Sequence, residues 1–360
     1  MKLIHTGDVH LGAPLKNLPT DKARLRRDEI TDAFRRLAQF AAKSGVAAVI
    51  IAGDFFDTET PSQYLQREVL SIIAGSPSVR FFYVTGNHDR HFRWAFPIPE
   101  NLCLFDQGKG FFTYRLSDEV TITGADAAYI KQLNYAALQL PAHTFNLVTM
   151  HGALSFGGND FSPEDDPVRI PFLKDKNINY LALGHIHTPP ERASLDHRGK
   201  YRYCGCLEGR GYDETGEKGF YLLEVKGKTL VAETFVPFAR RTVHSLTVDV
   251  GGRDWLSIEK ELRLRTDKLP EKDMLSLTLT GSRPQDGGWF PDRFAALLSA
   301  QFFAARIVDD SKILREIDPF DTSLRGEFFR LLDSATAPES IKDEAAQIAL
   351  TALSGEELPL

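Results

Sequence analysis

An α/β layered protein is what this sequence predicts, and three observations carry the prediction. Within the first 190 residues, short apolar runs alternate with longer stretches of helical spacing. The apolar runs are brief and rich in β-branched and aromatic residues, as buried strands are. Each run then breaks at glycine or a polar residue and delivers an Asp, Asn or His.

Taken in order, KLIHTGD (2–8) reads as a strand leading into Asp8, with His10 two residues further on. Residues 21–44 read as a helix, because Leu25, Ile30, Phe34, Leu37 and Phe40 recur near helical spacing. VAAVIIAGD (46–54) is a strand ending in Asp54, and 61–74 is a helix opening with Pro61. VRFFYVTGNH (79–88) ends in Asn87 and His88, and TFNLVTMH (144–151) ends in His151. NYLALGHIH (179–187) ends in His185 and His187. From 192 to 236 the pattern changes to the short strands ERASLD, KYRYCGC, GFYLLEV and TLVAETFV, with hairpin turns at HRG and KGK.

After Pro237 a smaller α/β unit is expected, with strands in 241–250, 274–282 and 305–310 and helices at 254–265 and 291–301. It shows no catalytic cluster of its own. Residues 320–354 read as two amphipathic helices, one carrying Leu324, Phe328, Leu331 and Leu332, the other Ile341, Ala345, Ile348 and Leu353.

A chain of 360 residues with 42% hydrophobic and 26% charged residues fits a soluble globular protein of more than one domain. No apolar run approaches the ~20 residues that span a bilayer. The opening MKLIHTGD turns polar too soon for a signal peptide, and Cys103, Cys204 and Cys206 make no disulfide framework. A reducing cytoplasm is the expectation. Cys204 and Cys206 read as strand residues on one face rather than half of a zinc site. The net charge of -6 gives no overall basic face for nucleic acid. Arg24, Arg26 and Arg27, Arg35 and Arg36, and Arg240 and Arg241 are local candidates for phosphate contact, set against the plainer reading of solvated helix faces.

The placement of the polar residues points to chemistry. In α/β sheets ligands bind beyond the carboxyl ends of strands, so five strands each delivering Asp, Asn or His to one edge would build one cluster. Asp8 and His10 lie two apart, as do His185 and His187, so each pair can face one centre from an extended segment. Glycines at 7, 53, 86 and 184 allow sharp turns and close backbone approach. A donor set of carboxylate, imidazole and amide without thiolate suits manganese, iron or zinc. One central carboxylate can bridge two such ions, and a two-metal centre activates water near neutral pH and stabilises charge on a phosphoryl group.

The blocks GDVHLG, AGDFFD, TGNHD, MHG and GHIH, in that order, resemble the five-part signature of the calcineurin-like metallophosphoesterases. Each block alone is weak; the set is specific, and the resemblance covers roughly residues 1–237. It implies a layered β-sandwich flanked by helices. It also implies that Asp8, His10, Asp54 and His187 hold a first metal, and that Asp54 bridges to a second held by Asn87, His151 and His185. His88 would contact the scissile phosphate and protonate the leaving oxygen, with Asp57 orienting it. The implied cofactor is two divalent ions, manganese first, with iron or zinc as alternatives. His5, His91, His143, His197 and His244 match no motif position.

Within that superfamily, HTGDVHLG and AGDFFDTETPSQY resemble SbcD-like nucleases. Thr58 stands where protein phosphatases carry Arg, and the chain runs on to residue 360, well past its last motif histidine. SLRGEFFRLLD (323–333) resembles YhaO-type DNA repair exonucleases. The resemblance implies a nuclease domain at 1–237, a DNA-contacting capping domain at 238–312, and a C-terminal helical segment at 313–360 that docks on an SMC-like coiled-coil ATPase of the SbcC or YhaN type. It further implies DNA as substrate in double-strand-break repair, a homodimer through the nuclease domain, and no membrane association. The alternative at the same site is a phosphoesterase for small phosphodiesters or phosphoproteins, which would need a deep, narrow pocket.

Overall fold

The computed structural model describes residues 1–105, 110–157, 167–188, 192–283, 291–313 and 320–353. Parts of the expected capping and docking segments, at 284–290, 314–319 and 354–360, lie outside these, as does Glu191 at the start of one expected strand. The chain divides into two compact units, Met1–Thr242 and Val243–Leu360.

The first unit runs β1 (Lys2–Thr6), α1 (Thr20–Lys43), β2 (Val46–Ala52), α2 (Gln63–Ala74), β3 (Arg80–Val84), β4 (Leu102–Leu104), β5 (Phe112–Arg115), β6 (Val120–Gly124) and β7 (Phe145–His151). It continues with β8 (Leu154–Ser155), β9 (Val168–Arg169), β10 (Tyr180–Gly184), β11 (Ala193–Ser194), β12 (Lys200–Tyr203), β13 (Gly219–Lys226) and β14 (Thr229–Pro237). One six-stranded sheet has the order β14-β13-β1-β2-β3-β4, and a second has β11-β12-β10-β7-β6-β5. In the first, β1 to β4 run parallel and β13 joins β1 antiparallel. In the second, β6, β7, β10 and β12 run parallel.

The two sheets face each other across a core that takes Leu3, Ala48, Ile50, Phe82 and Val84 from one and Ile122, Phe145, Leu147, Tyr180 and Ala182 from the other. The alternate residues point outward and are buried as well, which is why these strands read as unbroken apolar runs. On one side Phe34 of α1 meets Phe55 and Phe81, with ring centroids 4.8 and 6.1 Å apart. On the other, Val148, Met150, Leu181 and Leu183 pack under Ile130, Leu133, Leu138 and Leu173 from the 3₁₀ turns and loops. Burying a side chain of this size contributes about 1.5–3 kcal/mol. The result is a β-sandwich with helices on one flank.

One helix boundary differs from the sequence expectation. Helix α2 starts at Gln63, and Ser62 caps it, its Oγ accepting from Leu65 N at 3.2 Å. A hydroxyl satisfies an orphan N–H that proline cannot, so Pro61 stays outside the helix.

In the second unit, β15 (Val243–Asp249), α3 (Trp255–Thr266), β16 (Met274–Thr280), β17 (Ser282–Arg283), α4 (Asp292–Gln301), β18 (Ala304–Asp309), β19 (Lys312–Ile313), α5 (Leu324–Ser334) and α6 (Glu339–Leu353) follow in order. A parallel sheet β15-β16-β18 carries Val248, Leu275, Leu277 and Leu279 against Ile258 and Leu262 of α3 and Phe294 and Leu298 of α4. The helix pair α5 and α6 has a small core of its own, where Phe329, Ala346 and Leu350 meet Ile313. Gln347 fastens α6 to β19 through the backbone N and O of Ile313, at 2.9 and 3.0 Å.

Candidate metal centre

Strands β1, β2 and β3 of one sheet and β7 and β10 of the other bring their carboxyl ends to one edge. The loops beyond them are laced by backbone bonds: Asp8 N to Gly53 O and His10 N to Asp54 O, both 3.0 Å, and Asp57 N to Leu11 O, 3.1 Å. Two of the preceding glycines are required by what lies beside them. A Cβ on Gly53, whose φ is +88°, would run into the His151 ring, and one on Gly184 would run into the carbonyl of Ala52. Several of the polar residues themselves take positive φ: Asp8 at 47°, His10 at 49°, Asp54 at 46° and His185 at 116°. Such backbone persists only where its surroundings over-determine it, and it gathers at functional sites.

The side chains converge in two adjacent sets. Asp8, His10 and His187 bring donor atoms within 4.8 Å of one another, as do Asp8, Asp54 and His151. Asp54 sits between them, its Oδ2 lying 3.6 Å from His10 Nε2 and 3.4 Å from His151 Nε2. Asn87 completes the second set, its Oδ1 lying 2.9 Å from His151 Nε2 and 3.2 Å from His185 Nδ1. All seven residues expected as metal ligands therefore meet at one edge. Asp8, His10, Asp54 and His151 are buried, His185 and His187 half-buried, and Asn87 exposed.

The hydrogen-bond pattern tests whether these residues suit a cation. His10 Nδ1 lies 3.0 Å from Asp57 Oδ1, and His187 Nδ1 lies 2.7 Å from Glu214 Oε1. Carboxylates only accept, so His10 carries its proton on Nδ1, and so does His187, whose Nδ1 is closer to Glu214 than to Arg210 Nη2 at 3.1 Å. Both Nε2 lone pairs then face each other at 3.1 Å, which is repulsive between neutral imidazoles and favourable for two ligands of one ion. His151 repeats the logic: Nδ1 donates to the carbonyl of Ala52 at 2.9 Å, leaving Nε2 among the acceptor oxygens of Asn87 and Asp54. Imidazole nitrogens, carboxylate oxygens and an amide oxygen crowd together at two adjacent points, an arrangement that fits divalent ions.

Electrostatics say the same. Burial opposes charge on His151, but the neighbouring Asp54 carboxylate outweighs it and lifts the imidazole to about 9. Burial pushes the Asp8 carboxyl up to about 6 and the His10 imidazole down to about 4. Asp54 is held well below the usual carboxylate range, because His151 and His10 overcome its burial. The pocket gathers negative charge and demands positive charge to offset it.

His88 stands at the rim, its side chain 41% exposed, with its backbone N donating to Asp54 Oδ1 at 2.9 Å. Its Nδ1 lies 3.3 Å from the backbone carbonyl of Asp57 and 3.7 Å from that residue's carboxylate. The Asp57 carboxylate itself is engaged by His10 and by Arg210 Nη1, each at 3.0 Å.

Three residues of the centre escaped the sequence reading. Glu214 orients His187, and Arg210 bonds both Glu214 and Asp57. Asp89 is fully buried and accepts from the backbone N of Phe55, Phe56 and Gly86 and from Tyr83 Oη, at 2.8, 3.0, 2.6 and 2.6 Å. It ties the Asp54 loop to the Asn87 loop. Asp89 was visible as the last acid of TGNHD; Glu214 lies far from any motif.

Other candidates fall differently. Arg26 is fully buried and pairs with Glu29 and Glu208, while Arg241 is buried against Glu29. Arg36 and Arg35 pair with acids of their own surroundings. These arginines build the fold, and of the clusters named from the sequence Arg24 and Arg240 stay exposed. Cys204 and Cys206 lie just past β12, buried, with burial pushing both thiols well above their ordinary range.

A family model described as calcineurin-like phosphoesterase matches residues 1–189. Among curated relatives, the chain is 26% identical over 321 residues to the DNA double-strand break repair protein Mre11 of Methanopyrus kandleri, covering 79% of this chain and 66% of that protein. It is 27% identical over 249 residues to the uncharacterized metallophosphoesterase YhaO of Bacillus subtilis, covering 62% and 57%. It is 26% identical over 271 residues to a subunit of the nuclease SbcCD of Staphylococcus epidermidis, covering 66% and 69%. The chain thus spans 57% to 69% of the length of these relatives. The family match begins at the first residue and runs past His187, over every strand on whose end the cluster is built, and on that ground the chain belongs to the calcineurin-like phosphoesterase family of metal-dependent hydrolases.

Proposed function

We propose that this chain is a dinuclear metal-dependent DNA nuclease acting in double-strand-break repair. The observation that carries the reading is the pair of acceptor clusters sharing Asp54, with the solvent-facing imidazole of His88 beside them. Asp8, His10, Asp54 and His187 would hold one ion, and Asp54, Asn87, His151 and His185 the other, with manganese the first choice. When bound, the ions supply an activated water and neutralise charge developing on phosphate.

The chain's own residues do the rest. His88 would protonate the leaving oxygen, a role supported by the Asp57 carbonyl, which accepts from Nδ1 and turns Nε2 outward. Asp57 and Glu214 keep the Nε2 lone pairs of His10 and His187 directed inward. Asp89 fixes the two loops that carry Asp54 and Asn87.

DNA is favoured over small esters by two supports. Two of the relatives described above are named as a DNA repair protein and a nuclease. The cavity of about 410 Å³ beside His88 and Asp57 is lined by both cations (Lys16, Arg210) and acids (Asp213, Glu214), and what favours a polymer is that the rim histidine is exposed instead of sunk in a narrow pocket. A partner subunit, which the resemblance to SbcD-like nucleases makes an SMC-like coiled-coil ATPase, is supported by one relative's name, as that relative is part of a larger nuclease. It is supported as well by the exposed Leu324, Leu331, Ile341 and Ile348, which repeat at helical spacing along α5 and α6.

The test is cleavage of end-labelled double- and single-stranded DNA in manganese, beside His88→Gln and a nitrophenyl phosphodiester. DNA degradation by the wild type that is lost in the variant is the expected result. Cleavage of the small diester alone, with or without an added ATPase partner, would replace the nuclease reading with a small-substrate phosphoesterase.

A further inference from the structure

We propose that Arg210 is a positioning residue for one ion of the pair, the one assigned to Asp8, His10 and His187, and that it sets how tightly that ion is held. The proposal rests on the dinuclear reading above. It starts from an asymmetry in how the histidines are backed. His151 leans on a backbone carbonyl, which cannot move independently of β2. His10 and His187 lean on side-chain carboxylates, Asp57 and Glu214, which can rotate unless something holds them.

Arg210 holds both. Its Nη1 bonds Asp57 Oδ1 at 3.0 Å, the same oxygen that takes His10 Nδ1. Its Nε and Nη2 bond Glu214 Oε1 at 3.1 and 3.0 Å, the same oxygen that takes His187 Nδ1. The backbone N of Arg210 adds a bond to Glu214 Oε2 at 2.6 Å. One planar cation therefore closes a ring between two histidine–carboxylate pairs drawn from four distant stretches of chain.

Each carboxylate orients its imidazole at the cost of an unbalanced charge, and the guanidinium supplies the balance. Glu214 is buried, and its carboxylate is met from two sides by His187 and Arg210. Without the guanidinium, Asp57 and Glu214 would repel each other. They would turn away, and the two Nε2 atoms would lose their shared aim. Lysine is no substitute: a single ammonium offers a point charge where two oxygens need a fork. Arg210 grips the carboxylates behind His10 and His187, while His151 leans on the Ala52 carbonyl, so the effect belongs to one ion.

The experiment is an equilibrium titration with manganese and no DNA, following free ion by electron paramagnetic resonance and heat by calorimetry. It compares the wild type with Arg210→Gln, Arg210→Lys and Asn87→Ala. The wild type should bind two ions. Both Arg210 variants should hold one ion at wild-type affinity and the other about 10–100-fold more weakly, the usual cost of losing an outer-sphere partner. Asn87→Ala should weaken the opposite ion, so combining it with Arg210→Gln weakens both. Wild-type affinity for both ions in Arg210→Gln would overturn the proposal. So would full recovery in Arg210→Lys, because charge alone would then suffice.

Folding is checked by circular dichroism. Should Arg210→Gln not fold, Glu214→Gln opens the same ring from the other side and must weaken the same ion. A wild type that binds fewer than two ions would overturn the dinuclear reading and this proposal with it. A wild type that binds two ions and cuts no DNA would defeat only the nuclease assignment.

Discussion

The sandwich and the sheet of the second unit are built alike, from parallel apolar strands packed on helices, yet their carboxyl edges differ. At the end of β15, Asp249 Oδ1 accepts from Gly251 N at 2.8 Å, and at the end of β18, Asp309 Oδ1 accepts from Ser311 N at 3.0 Å. There the carboxylates close turns in solvent. At the sandwich edge, Asp8 and Asp54 are buried and meet imidazoles that arrive from the facing sheet. Among the described residues, no group of potential metal donors falls in the second unit. A parallel sheet supplies an edge, but a second sheet opposite supplies the facing imidazoles that complete the cluster. One layer is not enough.

The comparison can be broken most directly at Asp54. Asp54→Ala should remove both ions and all phosphodiester cleavage, by elemental analysis and a nitrophenyl diester assay, while Asp309→Ala should leave both untouched. Metal retained in Asp54→Ala would show that the two donor sets do not share a bridge. Next in size, His88→Gln should lower turnover on the order of 10²–10⁴-fold with metal content unchanged. Loss of an ion in that variant would make His88 a ligand instead of a proton donor.

A third experiment uses acid. Arg241 and Arg26 overcome the burial of Glu29 and hold its carboxyl below the ordinary range, so it stabilises the first unit above that range. That contribution is lost as pH falls through the folded-state value. Glu29→Gln should cost about 3–5 kcal/mol at neutral pH, as for a broken buried pair, and the two unfolding curves should converge in acid. A gap that stays constant with pH would contradict the linkage. Last, Leu277→Ala in the second sheet should cost about 2–5 kcal/mol of that unit's stability in thermal unfolding, with metal binding unaltered. A change in metal affinity there would show that the two edges are not independent.

The strands that carry the centre were legible because each combines an unbroken apolar run, a glycine and a ligand-type residue. The short strands were not. β4 spans three residues, and β5 reads FTYR with alternate positions exposed, too brief and too polar to stand out from loop. Arg26 was misplaced for a different reason. It lies with Ala23, Ile30, Ala33 and Leu37 on the buried stripe of α1, and its spacing said so while its charge argued otherwise. Glu214 and Arg210 meet their partners only through the fold, since 27 residues separate Glu214 from His187 and 153 separate Arg210 from Asp57. Periodicity cannot reveal contacts of that range.

His5 lies three residues before Asp8, in the same HTGD run, and takes no part in the centre. It sits inside the sandwich, its Nε2 lying 3.2 Å from the carbonyl of Leu183 and its Nδ1 3.1 Å from Tyr180 Oη. A carbonyl only accepts, so the proton is fixed on Nε2, and burial lowers the ring to about 3. The imidazole is therefore a single tautomer, neutral throughout the working range. In a nitrogen NMR spectrum its two resonances would stand still while zinc or acid moved those of the metal-facing rings, giving the protein an internal frequency standard on the very strand that delivers Asp8.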